Sequence, residues 1–287
     1  MKKRLLSVLM ISGMLIMSAC GNQVSEPESQ NEDINAEETS AVSVEDVESV
    51  EVETEHIEIA ETPASIRIKN PSWDYYIAES ISSNTKPYTL KLVEESANEI
   101  IDTEDWLTEH EVNYDPKDEE GDIFVFFQSG DTLVNIFENN KCVAELDFSD
   151  YMYAPDLVEA DKEFVDETIH DAKIVDGILY VSVFHYTYAE SAPSNAYIVA
   201  ISLEDYSVIW KSQPLVCNSL NFEIVDDIIF CGYGFTAEPD YLYQLDRITG
   251  CVLDKTELKS KADYIIFADD RLYVRTYDTD YVFEVVK

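Results

Sequence analysis

The stretch Phe222–Glu257, FEIVDDIIFCGYGFTAEPDYLYQLDRITGCVLDKTE, contains one complete structural unit of the chain. Four short apolar runs follow one another, and each is rich in aromatic or β-branched residues. Turn-forming residues separate the runs, with Asp226-Asp227 after the first run and Asp246–Gly250 before the last. This pattern predicts four short strands joined by turns in an antiparallel meander.

The same pattern recurs along the chain at steps of 43 to 56 residues. The step is typical of β-propeller blades that carry loop insertions. In three units an acidic turn, of the kind that favours two-residue hairpins, joins the first two strands. These turns are Asp176-Gly177, Asp226-Asp227 and Asp269-Asp270. An aromatic residue of the second strand recurs at Tyr76, Phe124, Tyr180, Phe230 and Tyr273. The sequence predicts an all-β fold, a β-propeller of about five four-stranded antiparallel blades, over residues 63–287.

The first twenty residues have the composition of a targeting segment. A basic start is followed by the apolar run Leu5–Met17, which is too short to span a membrane. The run ends in Met17-Ser18-Ala19-Cys20, which resembles a bacterial lipobox. The resemblance implies a signal peptide over residues 1–19, lipidation of Cys20, and an extracytoplasmic protein held at the bacterial cell membrane by that lipid. An ordinary secretory signal, with an incidental Cys20, is the alternative.

Residues 20–62 differ in composition from the rest of the chain. Between Gly21 and Thr62 there are fourteen acidic residues and no Lys or Arg, so this segment cannot bury enough apolar surface to fold alone. We expect a disordered acidic tether, which could reach about 140 Å when fully extended. The C-terminal unit lacks an outermost strand. We expect Ile57 and Ile59 to pair beside Tyr281–Val286 and thereby close the ring.

The charge of the chain limits its partners. Its 59 acidic and 19 basic residues give a formal net charge of −40. A phosphate backbone would be repelled, so nucleic acid is excluded as a partner. Cations and basic protein surfaces would be attracted instead.

Two segments carry a recognisable turn motif, Leu245–Leu253 (LDRITGCVL) and Ile201–Lys211 (ISLEDYSVIWK). They resemble the repeats of PQQ-like (quinoprotein-type) β-propellers, in which an Asp and a Gly shape a turn and a Trp often ends the outer strand. Enzymes of that family hold a quinone against a Trp with a calcium ion and, in several, a pair of adjacent cysteines. This chain has no adjacent cysteines and no residues that match these ligands, so we expect no cofactor. The family's non-enzymatic bacterial lipoproteins, which serve as protein-assembly scaffolds, are closer in layout.

Other chemical sites have little support in the sequence. The four histidines are isolated and there is no Cys-x-x-Cys, so no metal site is predicted. The acidic segment Asp115–Asp122 leaves calcium binding open as an alternative, without the spacing of an EF-hand. Cys217 and Cys231 flank one innermost strand and could meet, but no disulfide framework is implied.

Propeller geometry places the long loops of this chain on one face, around the central channel. Aromatic and acidic residues in these loops could bind a cationic peptide or stack on a sugar. The predicted ligand-binding residues are Tyr151, Tyr153, Tyr186, Tyr188, Glu190, Phe235 and Glu238.

Two classes of function remain open from the sequence. The first is a lipid-anchored, non-catalytic binding or scaffold module for a protein, a peptide or a glycan. The second is a propeller glycosidase, whose acid and base would be carboxylates lining the central channel. The innermost strands offer few acidic residues, chiefly Glu223, so the sequence favours the first class.

Overall fold

The computed structural model describes residues 62–78, 81–99, 102–111, 117–165 and 168–287. The predicted signal peptide, Cys20 and the tether up to residue 61 lie outside the described residues. Within the described part of the chain, no helix is long and apolar enough to span a membrane.

The described strands form four sheets, numbered here in chain order. Sheet 1 has the spatial order β1 (Ala64–Arg67), β7 (Lys141–Asp147), β6 (Leu133–Glu138), β5 (Ile123–Phe127) and β4 (Glu119–Glu120). Sheet 2 has the order β2 (Tyr76–Ile77), β11 (Val208–Lys211), β10 (Tyr197–Ser202), β9 (Ile178–Val183) and β8 (Ile169–Val175).

Sheet 3 has the order β12 (Glu223–Val225), β13 (Ile228–Tyr233), β14 (Asp240–Asp246) and β15 (Val252–Leu258). Sheet 4 has the order β16 (Ala262–Ala268), β17 (Arg271–Thr276), β18 (Thr279–Val286) and β3 (Thr89–Ala97). Neighbouring strands are antiparallel except for β1, which runs parallel to β7. The helices of the described segments are α1 (Thr103–Glu109) and two 3-10 turns, Ser149–Tyr151 and Glu159–Phe164.

Apolar side chains join each sheet to the next one in chain order. Leu146 of sheet 1 and Val181 of sheet 2 belong to one buried cluster. A second cluster lies between sheets 2 and 3, and a third between sheets 3 and 4. Because successive side chains of a strand point to opposite faces, the continuous buried runs of β10 and β13 present side chains to both faces, and the inner sheets pack on both sides. The all-β architecture of antiparallel propeller blades is therefore confirmed.

The first of the five predicted units, which contains Tyr76, does not form a blade of its own. The described residues form four sheets, and the strands of this unit join two of them, β2 in sheet 2 and β3 in sheet 4. The apolar pattern correctly indicates strands here. It does not indicate which sheet they join, because an outermost strand shows the same alternation wherever it pairs.

Residues 62–78 and 81–99, called here the N-terminal strap, supply the outermost strand to three of the four sheets. In sheet 4, β3 pairs with β18 along its whole length, with Glu95 opposite Tyr281 and Thr89 opposite Val286. Strand β18 thus has β17 on one side and β3 on the other. The predicted pairing of this strand with Ile57 and Ile59, which lie outside the described residues, is wrong.

The turn motif of sheet 3 packs against sheet 2. Asp246 accepts hydrogen bonds from the Ile248 amide (2.9 Å) and the Thr249 hydroxyl (2.9 Å), which shapes the turn. Gly250 has a φ of +73°, and a side chain there would collide with the ring of Trp210. The Trp210 indole also donates to the Arg247 carbonyl at 3.0 Å. The Asp, the Gly and the Trp of the motif therefore act together to fix one sheet on the next.

The two end sheets differ in what covers their outward faces. On sheet 4, Tyr273 packs against Trp106 of α1, with ring centroids 6.0 Å apart. On sheet 1, Phe124 points to the side away from sheet 2, whereas its neighbour Val125 lies in the cluster shared with sheet 2. The predicted equivalence of Phe124 with Tyr273 is therefore wrong by one residue, which reverses the face on which the side chain lies.

Candidate functional site

The segments predicted to carry a site are the loops between second and third strands and the connectors between blades. Tyr151 and Tyr153 lie on the connector between β7 and β8, and the other predicted residues lie on the loops of sheets 2 and 3.

In sheet 2 the loop between the second and third strands is fastened by Asn195, whose side-chain oxygen accepts from the His185 amide (3.2 Å) and whose NH2 group donates to the His185 carbonyl (2.8 Å). The corresponding loop of sheet 3 begins at Gly234, whose amide donates to the Asn218 side chain at 3.2 Å. Both loops are therefore held in place by buried amide side chains, which favours a preformed binding surface.

Tyr188, Phe235 and Glu238 come together where these two loops meet. The rings of Tyr188 and Phe235 lie edge to face, with centroids 4.8 Å apart. The carboxylate of Glu238 accepts from the Ala189 amide (2.6 Å) and from the Tyr233 hydroxyl (2.9 Å). Burial, and secondarily the Glu238 carboxylate, raises the pKa of the Tyr233 hydroxyl. Glu238 thus joins the loops of sheets 2 and 3, and Tyr188 remains 46% exposed beside it.

Tyr186 lies beside a cationic side chain on the same face. Its ring stands edge-on to His170 and Phe184, with centroids 5.5 and 5.2 Å away. The Lys261 ammonium lies 5.6 Å from the centre of the Tyr186 ring and 2.5 Å from an Asp263 oxygen. Burial, and secondarily Lys261, lowers the pKa of His170 to about 4, so this imidazole is neutral near pH 7.

The three remaining predicted residues occupy different environments. Tyr151 is only 4% exposed and packs on Phe148 in the core between sheets 1 and 2. Tyr153 is 48% exposed, and the Lys162 ammonium lies 6.0 Å from the centre of its ring. Glu190 is exposed within the loop of sheet 2. The structure therefore brings Tyr188, Phe235 and Glu238 together and places Tyr186 on the same loop as Tyr188, while Tyr151 contributes to the core.

A cleft of about 600 Å³ continues this surface next to Asp263. It lies between sheet 4 and the beginning of α1, and its most exposed wall is Tyr277, which is 85% exposed. The floor includes Arg275, whose guanidinium donates to the Asp102 carbonyl (2.8 Å) and lies over the Trp106 ring. The lining residues are Asn98, Thr103, Asp263, Tyr264, Arg275, Thr276, Tyr277 and Asp278.

The carboxylates of the innermost strands are paired with an ammonium group. Lys173 is fully buried, and its Nζ lies 3.7 Å from Asp171 and 4.0 Å from Glu223. Asp171 also accepts from the Phe222 amide at 3.0 Å. Burial raises the pKa of the Asp171 carboxyl, and Lys173 opposes that shift. The charges of this group fasten β8 of sheet 2 to β12 of sheet 3.

Several residues of the candidate site could not be predicted from a pattern in the sequence. Lys261 and His170 lie far apart in the chain, and the cleft around Tyr277 depends on α1, a helix that the β pattern does not predict. In the described part of the chain, no three His, Cys, Asp or Glu side chains lie close enough together to hold a metal ion.

No family model matches this chain, and no curated protein matches it. Among solved structures, it is similar to BamB from Moraxella catarrhalis, at 10% identity and a TM-score of 0.30 over 56% of this chain and 55% of that one. It is also similar to a europium-containing methanol dehydrogenase, at 11% identity and a TM-score of 0.35 over 58% of this chain and 27% of that one. Both have PQQ-like propeller folds. The sheets themselves, rather than these distant similarities, define the fold of this chain.

Proposed function

We propose that this protein is a lipid-anchored, extracytoplasmic β-propeller protein that binds a partner protein or peptide on its loop face and does not catalyse a reaction. The observation that carries this proposal is the pair of Tyr188 and Phe235 beside Glu238, with Tyr186 on the same loop as Tyr188. Buried hydrogen bonds hold both loops in place. Partly exposed aromatic rings on fixed loops are typical of protein-binding surfaces.

The charge of the protein favours a partner segment with basic residues. The formal net charge of −40 attracts cations. Lysine side chains of the chain itself already lie over its tyrosine rings, as Lys255 does over Tyr241 at 3.8 Å. A basic side chain from a partner could lie over the partly exposed rings of Tyr186 or Tyr188 in the same way.

The buried ion group argues against the glycosidase alternative. A glycosidase needs two carboxylates that face the sugar across an open cleft, about 5 to 9.5 Å apart depending on mechanism. Glu223, the chief candidate, is 3% exposed and lies next to the Lys173 ammonium. This geometry supports a structural role for Glu223.

Site-specific photo-crosslinking in intact cells tests the binding proposal. A photoreactive residue at position 188 should give one dominant adduct with a surface protein. The matched control is position 248, because Ile248 is also an exposed apolar side chain, 39% exposed, but lies in the turn of sheet 3 away from the loop face. Adducts of the same kind from both positions, or adducts with polysaccharide alone, would contradict the proposal.

Membrane fractionation of a Cys20→Ala variant tests the anchor separately. We expect the wild type in the membrane pellet and the variant in the soluble or secreted fraction, because the variant lacks the thiol that would carry the lipid. Cys217→Ala, a cysteine within the folded sheets, is the matched control and should stay with the membrane. A Cys20→Ala chain that pellets like the wild type would refute lipid anchoring and leave the binding proposal intact.

A further inference from the structure

The outward faces of sheets 1 and 4 are the two faces at which a ring of sheets would close. On sheet 4 the cross-strand row Ile266, Tyr273 and Val282 packs against Trp106 of α1, which is 2% exposed. On sheet 1 the row opposite is Phe124, Phe137 and Cys142. No buried cluster within the described residues forms on that side. Among the described residues, the chain's own helix therefore covers one end of the row of sheets, and no element covers the other end.

The uncovered side of sheet 1, called here the aromatic face, consists of Phe124, Phe126, Leu133, Phe137 and Cys142. The rings of Phe124 and Phe137 are stacked, with centroids 4.8 Å apart and planes 7° from parallel. Phe126 is two residues further along the same strand, hence on the same side, and is 59% exposed. Contiguous exposed apolar surface of this kind marks an interaction site more often than single exposed residues do.

Acidic side chains flank the aromatic face. Glu119 pairs with Phe124 and Glu145 pairs with Asn135, so both carboxylates lie on its side of the sheet. Neither forms an ion pair with a described residue. Arg67, at the edge of the same sheet, already donates a hydrogen bond from its Nε to Asp150 Oδ1 at 2.7 Å. The uncompensated charge beside the three phenylalanines is therefore negative.

We propose that the aromatic face is a docking site for a basic amphipathic helix of a partner protein. The backbone groups of β5 and β6 already pair within sheet 1, so the face offers a partner side chains and no free backbone hydrogen bonds. An occupant must therefore satisfy its own backbone, as a helix does. Helix α1 shows the same solution on sheet 4, where a single aromatic residue fills the corresponding position.

The charges select a basic partner over a second copy of this chain. Lysine or arginine on the partner helix would face Glu119 and Glu145 and could lie over the phenylalanine rings. A second copy docked through the same face would bring these carboxylates toward their own equivalents. It would also join two molecules that each carry a net charge of −40.

The probe is a synthetic amphipathic helix made of Leu and Lys, and its control is the same peptide with Glu in place of Lys. Binding to the full chain is followed by fluorescence anisotropy at fixed ionic strength. We expect the Lys peptide to bind at least tenfold more tightly than the Glu peptide. Phe126→Ser should lower the affinity for the Lys peptide about tenfold. Ile248→Ser, which removes an apolar side chain that is 39% exposed in the turn of sheet 3, should leave its affinity unchanged.

The charge requirement has its own matched pair of variants. A double variant with Glu119→Gln and Glu145→Gln should bind the Lys peptide several-fold more weakly than the wild type. Glu104→Gln combined with Glu109→Gln, which removes two exposed carboxylates from α1, should not. Equal binding by the wild type and Phe126→Ser, both shown to be folded by circular dichroism, would overturn the proposal. So would self-association that Phe126→Ser abolishes in sedimentation experiments, because it would identify a second copy as the occupant.

Discussion

Sheets 1 and 4 are built from the same strand pattern but end the molecule in different ways. Sheet 4 has a nine-residue outermost strand, β3, and a helix whose Trp106 is 2% exposed. Sheet 1 has a four-residue outermost strand, β1, in parallel pairing, and its Phe126 is 59% exposed. The difference shows that aromatic residues at the end of a row of sheets become core or surface according to what the chain places over them.

The largest contrast is expected from the two outermost strands. Of the described strands, deletion of residues 1–67 removes only β1, which is mostly exposed, so we expect the chain to fold with a melting temperature lowered by a few degrees. Deleting residues 1–97 also removes β2 and β3 and leaves the β18 edge unpaired. We expect no cooperative melting transition by circular dichroism for that chain. Two truncated chains that melt alike would show that β3 is dispensable.

Removal of single aromatic residues should distinguish the two outward faces. Trp106→Ala leaves a cavity against Tyr273 and should cost about 3 kcal/mol or more, lowering the melting temperature by about 10 °C. Phe126→Ala removes an exposed ring and should change stability by less than about 0.5 kcal/mol. The two variants are compared by thermal denaturation under identical conditions. A large loss for Phe126→Ala would mean that an element of the same chain covers the aromatic face.

The first turn of α1 gives a smaller effect on sheet 4. The Asp102 carboxylate accepts from the Glu104 amide (2.9 Å) and the Asp105 amide (3.2 Å) and so caps the helix. Asp102→Ala should cost about 1 kcal/mol and lower the melting temperature by about 2–4 °C. Asp102→Asn can still cap the helix and serves as the matched control. Equal melting temperatures for the wild type, Asp102→Ala and Asp102→Asn would indicate that the cap of α1 does not contribute to the stability of the protein.

The smallest expected contrast is in how stability depends on pH through one carboxylate near each end sheet. In sheet 4, burial raises the pKa of Asp280, although Arg275 opposes this. In the 3-10 turn Ser149–Tyr151 next to sheet 1, Lys69 and secondarily Arg67 lower the pKa of Asp150, with burial opposing them. The folded protein therefore holds the Asp280 proton more tightly than the unfolded chain does, and it holds the Asp150 proton less tightly.

Acidification should consequently act in opposite directions on the two variants. As pH falls through the raised pKa of Asp280 toward 3.8, the wild type gains stability relative to Asp280→Asn. As pH falls below 3.8 through the lowered pKa of Asp150, the wild type loses the stability that Asp150 contributes, and the difference from Asp150→Asn shrinks. Melting temperatures between pH 7 and pH 3 measure both trends. Parallel curves for the two variants would contradict the assigned causes.

Local features of the fold could be predicted from the sequence because short-range chemistry determines them. The hairpin at Asp176-Gly177 needs two residues that tolerate positive φ, and the structure has +55° and +71° there. The motif from Asp246 to Gly250 predicts a turn because its Asp side chain and its Gly are sufficient to build one. These features involve residues that are close in the chain.

Features that depend on distant pairing could not be predicted in the same way. The alternation in Thr89–Ala97 indicates a strand, but only the edge of β18, about 190 residues away, determines its sheet. A one-residue error in alignment placed Phe124 with Tyr180 and Tyr273, and so on the wrong side of sheet 1. For the candidate site, Tyr188, Phe235 and Glu238 were predicted from loop position. Lys261 and the cleft beside α1 depend on packing between sheets, for which the sequence has no periodic signal.

The N-terminal strap also determines the order in which the molecule can be completed. Its strands β1, β2 and β3 leave the ribosome first, yet they pair with β7, β11 and β18, which follow later and end at residue 286. Contacts of such long sequence separation slow folding, because the entropy of closing each loop must be lost before pairing can compensate.

A growing chain therefore carries an unpaired β3 until almost its last residue has been synthesised. Leu92 and Val93, each 54% exposed even in the finished sheet, would then lie on a free strand that is open to other chains. Products that stop short of β18 cannot cover that strand, so they should aggregate or be degraded. Completion of the C-terminus is thus the event that makes the N-terminal residues safe from aggregation.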